Sequence, residues 1–275
     1  LNLLAYNTHY NAYYLNMVAN EMFLDTATQR SSVISRAKEL GYVPRSSVCS
    51  EAKINLTFTN VNVGSLTLPI YTKFQSEAVD GQNFTFVTVD SRTENASSNT
   101  VIFNDVLIKQ GEPVTLTLTY NELTNPSQTF ELPDENIDTT TLKVTVLESA
   151  TNTQITTYTL ATDYVALDEN SEVYFLQESF NNTYQIYFGD GIFGKSLVTN
   201  NIVIVSYLTT KKDSPNGANN FSLMDNIWNS YVITPLESAT GGSDKESIDS
   251  IKFQAPKAYA AQNRAVTKDD YITLI

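Results

Sequence analysis

From Leu1 to Leu24 the chain has neither Gly nor Pro, and its apolar residues recur every three or four positions, the spacing of a helical face. This predicts one long helix. Leu3, Tyr6, Tyr10, Tyr13, Met17 and Leu24 follow one track, interrupted at Asn20. Leu1, Leu4, Leu15, Val18 and Met22 follow a second, with Thr8 and Asn11 between them. Two apolar tracks ask for two covering surfaces. A second helix is expected from about Thr28 to Leu40, carrying Val33, Ile34, Ala37 and Leu40, with Gly41 and Pro44 as stop signals. The pair reads as a helical hairpin occupying residues 1–48.

From Ala52 the period changes to two. Ile54, Leu56 and Phe58 alternate with Asn55, Thr57 and Thr59, as in a half-buried strand. The same pattern returns at Phe84–Val89, Thr115–Thr119, Leu142–Leu147, Tyr158–Leu160, Tyr184–Phe188 and Ile202–Leu208. Short strands with turn signals between them predict a mostly antiparallel β domain over 51–236, with room for an inserted subdomain between Phe58 and Tyr184. Polar stretches such as Glu94–Thr100 and Asn121–Gln128 are expected as exposed loops.

After Pro235 the pattern turns helical again. Gly241-Gly242 reads as a joint, and Ser243 with Glu246 three residues on reads as a capping box, so a helix is expected to start there and end near Ala255-Pro256. Beyond a loop through Asn263 and Arg264, Thr267 offers an N-cap with Asp269 and Asp270 in the first turn of a further helix. The fold class is therefore α+β: an N-terminal helical hairpin, a central mostly antiparallel β domain, and the start of a C-terminal helix-containing domain over 243–275. With a start at Leu1 and a stop at Ile275 within a helical pattern, more chain is expected, on at least the C-terminal side.

Composition narrows the partners. Seventeen Lys and Arg against thirty Asp and Glu give a net charge of -13, which repels phosphate backbones and anionic membranes, so neither nucleic acid nor membrane is expected as a partner. No apolar run reaches the roughly 18 residues a membrane-spanning helix needs. The single cysteine, Cys49, excludes an internal disulfide framework and fits folding in the cytoplasm.

Candidate chemistry is sparse. Gly189-Asp190-Gly191-Ile192-Phe193-Gly194-Lys195-Ser196 satisfies the phosphate-loop pattern letter for letter. That loop must open a helix whose amides face the phosphates, yet Leu197–Leu208 is rich in Val and Ile and broken by Asn-Asn. Asp-Gly is also a strong turn dipeptide, so Gly189, Asp190, Gly191 and Gly194 are expected as the structural turn of a β-hairpin. His9 is the one histidine and lies on the first helix, which leaves no recognisable acid-base or zinc constellation. Asp163, Asp168 and Asp190 stand in oxygen-rich loops without EF-hand spacing, so no metal site, cofactor or catalytic residue is assigned. Asn-X-Ser/Thr triplets at Asn55, Asn83, Asn95, Asn181 and Asn220 would suit a glycosylated adhesin, but arise readily in a chain this rich in Asn, Thr and Ser.

Three separated segments resemble the baseplate wedge proteins of T-even-like contractile phages, within the wider J-like baseplate family. They are Asn20–Ala27 running through Arg30 to Leu40-Gly41-Tyr42-Val43-Pro44; Tyr187–Lys195 with Gly217-Ala218-Asn219 downstream; and Ala255-Pro256-Lys257 with Asn263–Thr267 and Asp269-Asp270-Tyr271. The resemblance implies a non-enzymatic subunit of the tail baseplate. Such a subunit pairs with a second copy of itself, bundles its N-terminal helices with other wedge proteins and joins wedges into a ring around the tail tube. It implies assembly in the bacterial host cytoplasm and a final place in the virion tail. The expected interface is the first helical segment, through Tyr6, Tyr10, Tyr13, Met17, Val18, Met22 and Leu24, where tyrosine supplies apolar area and a polar tip. Two other readings are a β-rich tail fibre or host-surface binding module, which would fold alone and bind host surfaces, and a tail-associated cell-wall hydrolase, which would cleave them.

Overall fold

A computed structural model describes residues 2–152, 154–162, 167–179, 181–225 and 230–261. Helix α1 spans Asn2–Glu21 and helix α2 spans Arg30–Glu39, close to the predicted ranges. Then follow strands β1 (Glu51–Thr59), β2 (Ser65–Leu68), β3 (Lys73–Ser76), β4 (Thr85–Thr88), β5 (Arg92–Asn95) and β6 (Thr100–Gln110). Next come β7 (Glu112–Thr119), β8 (Thr129–Leu132), β9 (Ile137–Leu147), β10 (Ile155–Leu160), β11 (Val173–Glu178), β12 (Tyr184–Phe188) and β13 (Ile202–Thr209). The described chain closes with β14 (Phe221–Leu223), β15 (Tyr231–Pro235) and helix α3 (Ile248–Ala261). The architecture is α+β and β-rich.

The strands form two large sheets. The first has the order β14-β3-β4-β6-β1-β15, the second β7-β13-β9-β10-β11-β12-β8, and β2 and β5 make a small ribbon. Pairings are antiparallel except β10 with β11. Each sheet has its own core. Ile54, Leu56, Phe58, Phe74, Phe86, Phe103 and Ile108 fill the first, and Tyr184, Ile186, Val203, Val205 and Tyr207 lie in the second.

The second sheet is built wholly from residues 112–209, between β6 and β14 of the first. The chain leaves and returns at one place, where Gln110 Oε1 accepts the Lys211 N–H at 2.9 Å. Gly111 has φ +152, and a Cβ there would lie 2.7 Å from the Thr209 carbonyl oxygen, so outgoing and returning backbones touch. Cys49, Val87 and Leu208 pack together across the same junction.

Four expectations are corrected. The helical hairpin does not pack as one: α1 buries no residue, and the apolar face of α2 meets α3 instead, with Ala27, Val33, Ala37, Ile251 and Ala255 forming their shared core. The helix expected at Ser243 starts at Ile248, because Ser243 is bridged to Val48 and Glu246 turns inward. Ser247 caps it instead, its Oγ accepting the Ser250 N–H at 3.2 Å. Nor does it stop at Pro256. It continues to Ala261, with Ala255 and Ala261 buried on either side, so packing outweighs the hydrogen bond the proline cannot donate. Finally, β12 and β13 do not form a hairpin: β12 pairs with β11 and β8, and β13 with β7 and β9. The pattern at Thr267–Tyr271 lies outside the described residues.

Candidate assembly surface

Two features set α1 apart from an ordinary surface helix. It has no acidic residue in its first turn, no basic residue in its last and no buried residue, so neither dipole compensation nor core packing holds it. Its apolar residues are nevertheless exposed: Tyr6 is 60 % exposed, Tyr13 61 % and Val18 62 %, with Tyr10 and Met17 at 40 %, and Met22, one residue past its end, is 58 % exposed. The Tyr6 and Tyr10 rings meet in a tilted arrangement at 4.6 Å between centroids, and those of Tyr10 and Tyr14 likewise at 5.8 Å. The Tyr6 hydroxyl is raised above the ordinary tyrosine range by its hydrogen bond to Tyr10, with partial desolvation adding to it. Tyr14 was not on either predicted track, although its i+4 spacing from Tyr10 is the signal that finds it.

Leu24 stands apart from that set. It lies beyond the end of α1 and packs, half-buried, on the α2–α3 core. The last residue of α1, Glu21, controls how the helix leaves the body. Its Oε1 accepts the Thr28 N–H at 2.8 Å and the Thr28 Oγ1–H at 2.7 Å, and its Oε2 accepts the Gln29 N–H at 3.2 Å. Gln29 makes no side-chain cap for α2, so Glu21 supplies that cap from outside. These donors, the Thr28 N–H first, lower the Glu21 carboxyl to about 2.

Helix α2 is held in the opposite manner. Arg30, its first residue, forms a two-pronged pair with Glu178 of β11, Nε to Oε1 at 2.8 Å and Nη2 to Oε2 at 3.0 Å, and Nη1 donates to the Glu246 carbonyl. The Glu178 side chain is fully buried. Glu246 is itself engaged, accepting the Tyr42 hydroxyl at 2.9 Å, the Arg45 N–H at 3.0 Å and the Ser250 hydroxyl at 2.7 Å. Burial, then the bond to Glu246, pushes the Tyr42 hydroxyl up. This network joins α2, the second sheet and the approach to α3.

The Gly189–Ser196 segment has the letters of a phosphate loop and another geometry. Asp190 Oδ1 accepts the Ile192 N–H at 3.0 Å and the Phe193 N–H at 2.9 Å, which holds its carboxyl below the usual range. The Gly191 N–H donates to the Gly194 carbonyl at 3.0 Å, with Gly191 and Gly194 at φ +85 and +89. Lys195 pairs with Glu172 at 3.1 Å, and the chain proceeds to β13 rather than to a helix, so nothing presents helical amides to a phosphate. Asp168 is likewise occupied by its own turn, through Ser171 and Asn170. His9 lies exposed on α1, and Asp163 is outside the described residues. Among the described residues, no group of three or more His, Cys, Asp or Glu is placed to hold a metal, and no helix is long and apolar enough to cross a membrane.

Comparison with known proteins adds a curated relative and a solved structure. The chain is 29% identical to the baseplate wedge protein gp6 of Enterobacteria phage T4, over 99% of its own length and 44% of that protein's. It thus spans less than half of the relative it matches. A cryo-EM structure of the anti-feeding prophage (AFP) baseplate covers 86% of the chain and 45% of its own at 14% identity, with a TM-score of 0.27, too low to carry an argument. No family model matches.

Proposed function

We propose that this chain is a structural, non-enzymatic subunit of a contractile-tail baseplate, and that α1 joins it to a second copy of itself and to other wedge proteins in a ring around the tail tube. In this reading it folds in the bacterial host cytoplasm and ends in the virion tail. The similarity to the T4 wedge protein, which runs through α1, both sheets and α3, supports the assignment. The observation that carries the joining role is that α1 places its apolar side chains in solvent while the rest of the chain closes its cores without it. Helices in proteins draw most of their stability from packing of an apolar face, and α1 packs none, so another surface is needed to hold it.

The test is Tyr13→Ala combined with Met17→Ala, followed by the mass of complexes formed with co-expressed tail proteins and by the melting transition of the β body. Complex mass should fall while the transition stays. Unchanged complexes with a collapsed transition would place α1 in this chain's own core and refute the reading.

A further inference from the structure

One end of the second sheet is made of three connections, residues 121–128, 167–172 and 189–200, laced together by hydrogen bonds. The Gly194 N–H donates to the Asp168 carbonyl at 2.9 Å and the Lys195 N–H to the Ser171 carbonyl at 2.8 Å. The Leu197 N–H reaches Gln128 Oε1 at 2.7 Å, and the Glu122 N–H reaches Thr199 Oγ1 at 3.3 Å. A Cβ on Gly189 would lie 2.2 Å from the Gly194 carbonyl oxygen, so the loop closes tightly on itself. With these bonds made, the backbone here is fixed before any partner arrives.

On this platform stand Leu123, Ile192, Phe193 and Val198, which are 93, 67, 56 and 68 % exposed. Scattered exposed apolar residues are ordinary on a protein surface. These four sit on interlocked loops whose bonds hold them out of the core, and a preformed display of apolar side chains lowers the ordering cost of binding. The surroundings are acidic: Glu122, Glu148, Asp168, Glu169 and Asp190 are exposed, and the cation of these connections, Lys195, is already paired with Glu172. Glu148 belongs with them because its carbonyl accepts from Asn201 Nδ2, and the Asn201 N–H in turn donates to the Val198 carbonyl.

We propose that this loop end docks a different protein chain, one that offers an apolar socket rimmed by Lys and Arg. A second copy would bring the same carboxylates and a net charge of -13 to the contact, so like charges would oppose self-association here. The surface is separate from α1, and the inference does not rest on the tail role.

The probe is a labelled amphipathic leucine–lysine peptide and its leucine–glutamate counterpart, titrated into the purified chain by fluorescence anisotropy. The lysine peptide should bind and the glutamate peptide should not. Ile192→Ser with Phe193→Ser should weaken binding about tenfold or more, as removal of two apolar contacts predicts, with an unchanged melting transition. Leu123→Ser gives an independent check on the neighbouring loop and should weaken binding in the same direction. Equal affinity in these variants would reduce the effect to charge attraction and overturn the proposal, as would no binding of the lysine peptide. Loss of binding in Leu15→Ser instead would move the site to α1 and overturn it too. If sedimentation shows a dimer of the wild type that Ile192→Ser with Phe193→Ser abolishes, a second copy occupies the surface and the proposed partner is wrong.

Discussion

Helices α1 and α2 are separated by eight residues and share little else. The shorter one is anchored at its first residue by a buried ion pair and along its face by α3, whereas the longer one touches the body chiefly through the carboxylate at its end. Apolar content does not explain the contrast, since α1 has the larger share of it. What differs is where the complementary surface lies. For α2 it is in the same chain; for α1 the described residues do not supply it, and the proposed function places it on another chain.

The largest expected effect tests the anchored side. Arg30→Ala leaves the buried Glu178 carboxylate without its cation and should cost about 3 to 5 kcal/mol in denaturant unfolding, whereas Arg30→Met with Glu178→Leu should recover much of it. A loss below about 1 kcal/mol would mean that apolar packing alone seats α2. Next, Ser247→Ala removes the N-cap of α3, the helix that covers α2, and should cost about 1 kcal/mol on the same unfolding curve.

The remaining predictions concern the free side. Because Glu21 is lowered to about 2 from an ordinary 4.5, its ionised form is the one the folded elbow favours. Its contribution is complete above pH 4.5 and is lost as pH falls toward 2. Spin-label distances between α1 and β1 should therefore broaden over that window, and Glu21→Gln should broaden them at neutral pH; a distribution indifferent to both would show that something else aims α1. The smallest effect should come from Leu15→Ser, with unfolding unchanged within about 0.5 kcal/mol because the side chain is already exposed. Hydrogen exchange sharpens the same point: α1 amides should exchange at nearly unprotected rates in the isolated chain, and α2 amides should not.

The seven segments expected as strands all form strands, because alternation such as Ile54, Leu56, Phe58 is a local consequence of one buried face. Strand β6 was invisible for an equally local reason. Its inward residues are Val101, Phe103, Val106 and Ile108, and a bulge at Asn104-Asp105 breaks the alternation, with Asp105 at φ +53 and its N–H held by Asn55 Oδ1 at 2.9 Å. Features made by distant residues left no trace. Arg30 and Glu178 are 148 positions apart, and nothing near either one announces the other. The false capping box shows the same limit: Ser243 and Glu246 have the right spacing, but long-range partners in Val48 and Tyr42 claim them first. Asp190-Gly191 does make a tight turn, yet whether the flanking strands pair depends on the order of the whole sheet. On α1, periodicity located Tyr6, Tyr10, Tyr13, Met17 and Val18 on an exposed helix, and misplaced Met22 and Leu24 because the helix ends at Glu21.

The two bridges Val48–Ser243 and Glu51–Thr240 have a mechanical consequence. They zip the segment leaving α2 to the segment approaching α3, beside the α2–α3 contact. A pull applied between α1 and α3 would load the α2–α3 core and the bonds to Glu246 first, and then these two links in turn, Val48–Ser243 before Glu51–Thr240, like the teeth of a zip opened from one end. The strands of the first sheet would feel a tug on the ends only after these contacts had opened, so the first resistance is set by the helices and their links and not by that sheet's core.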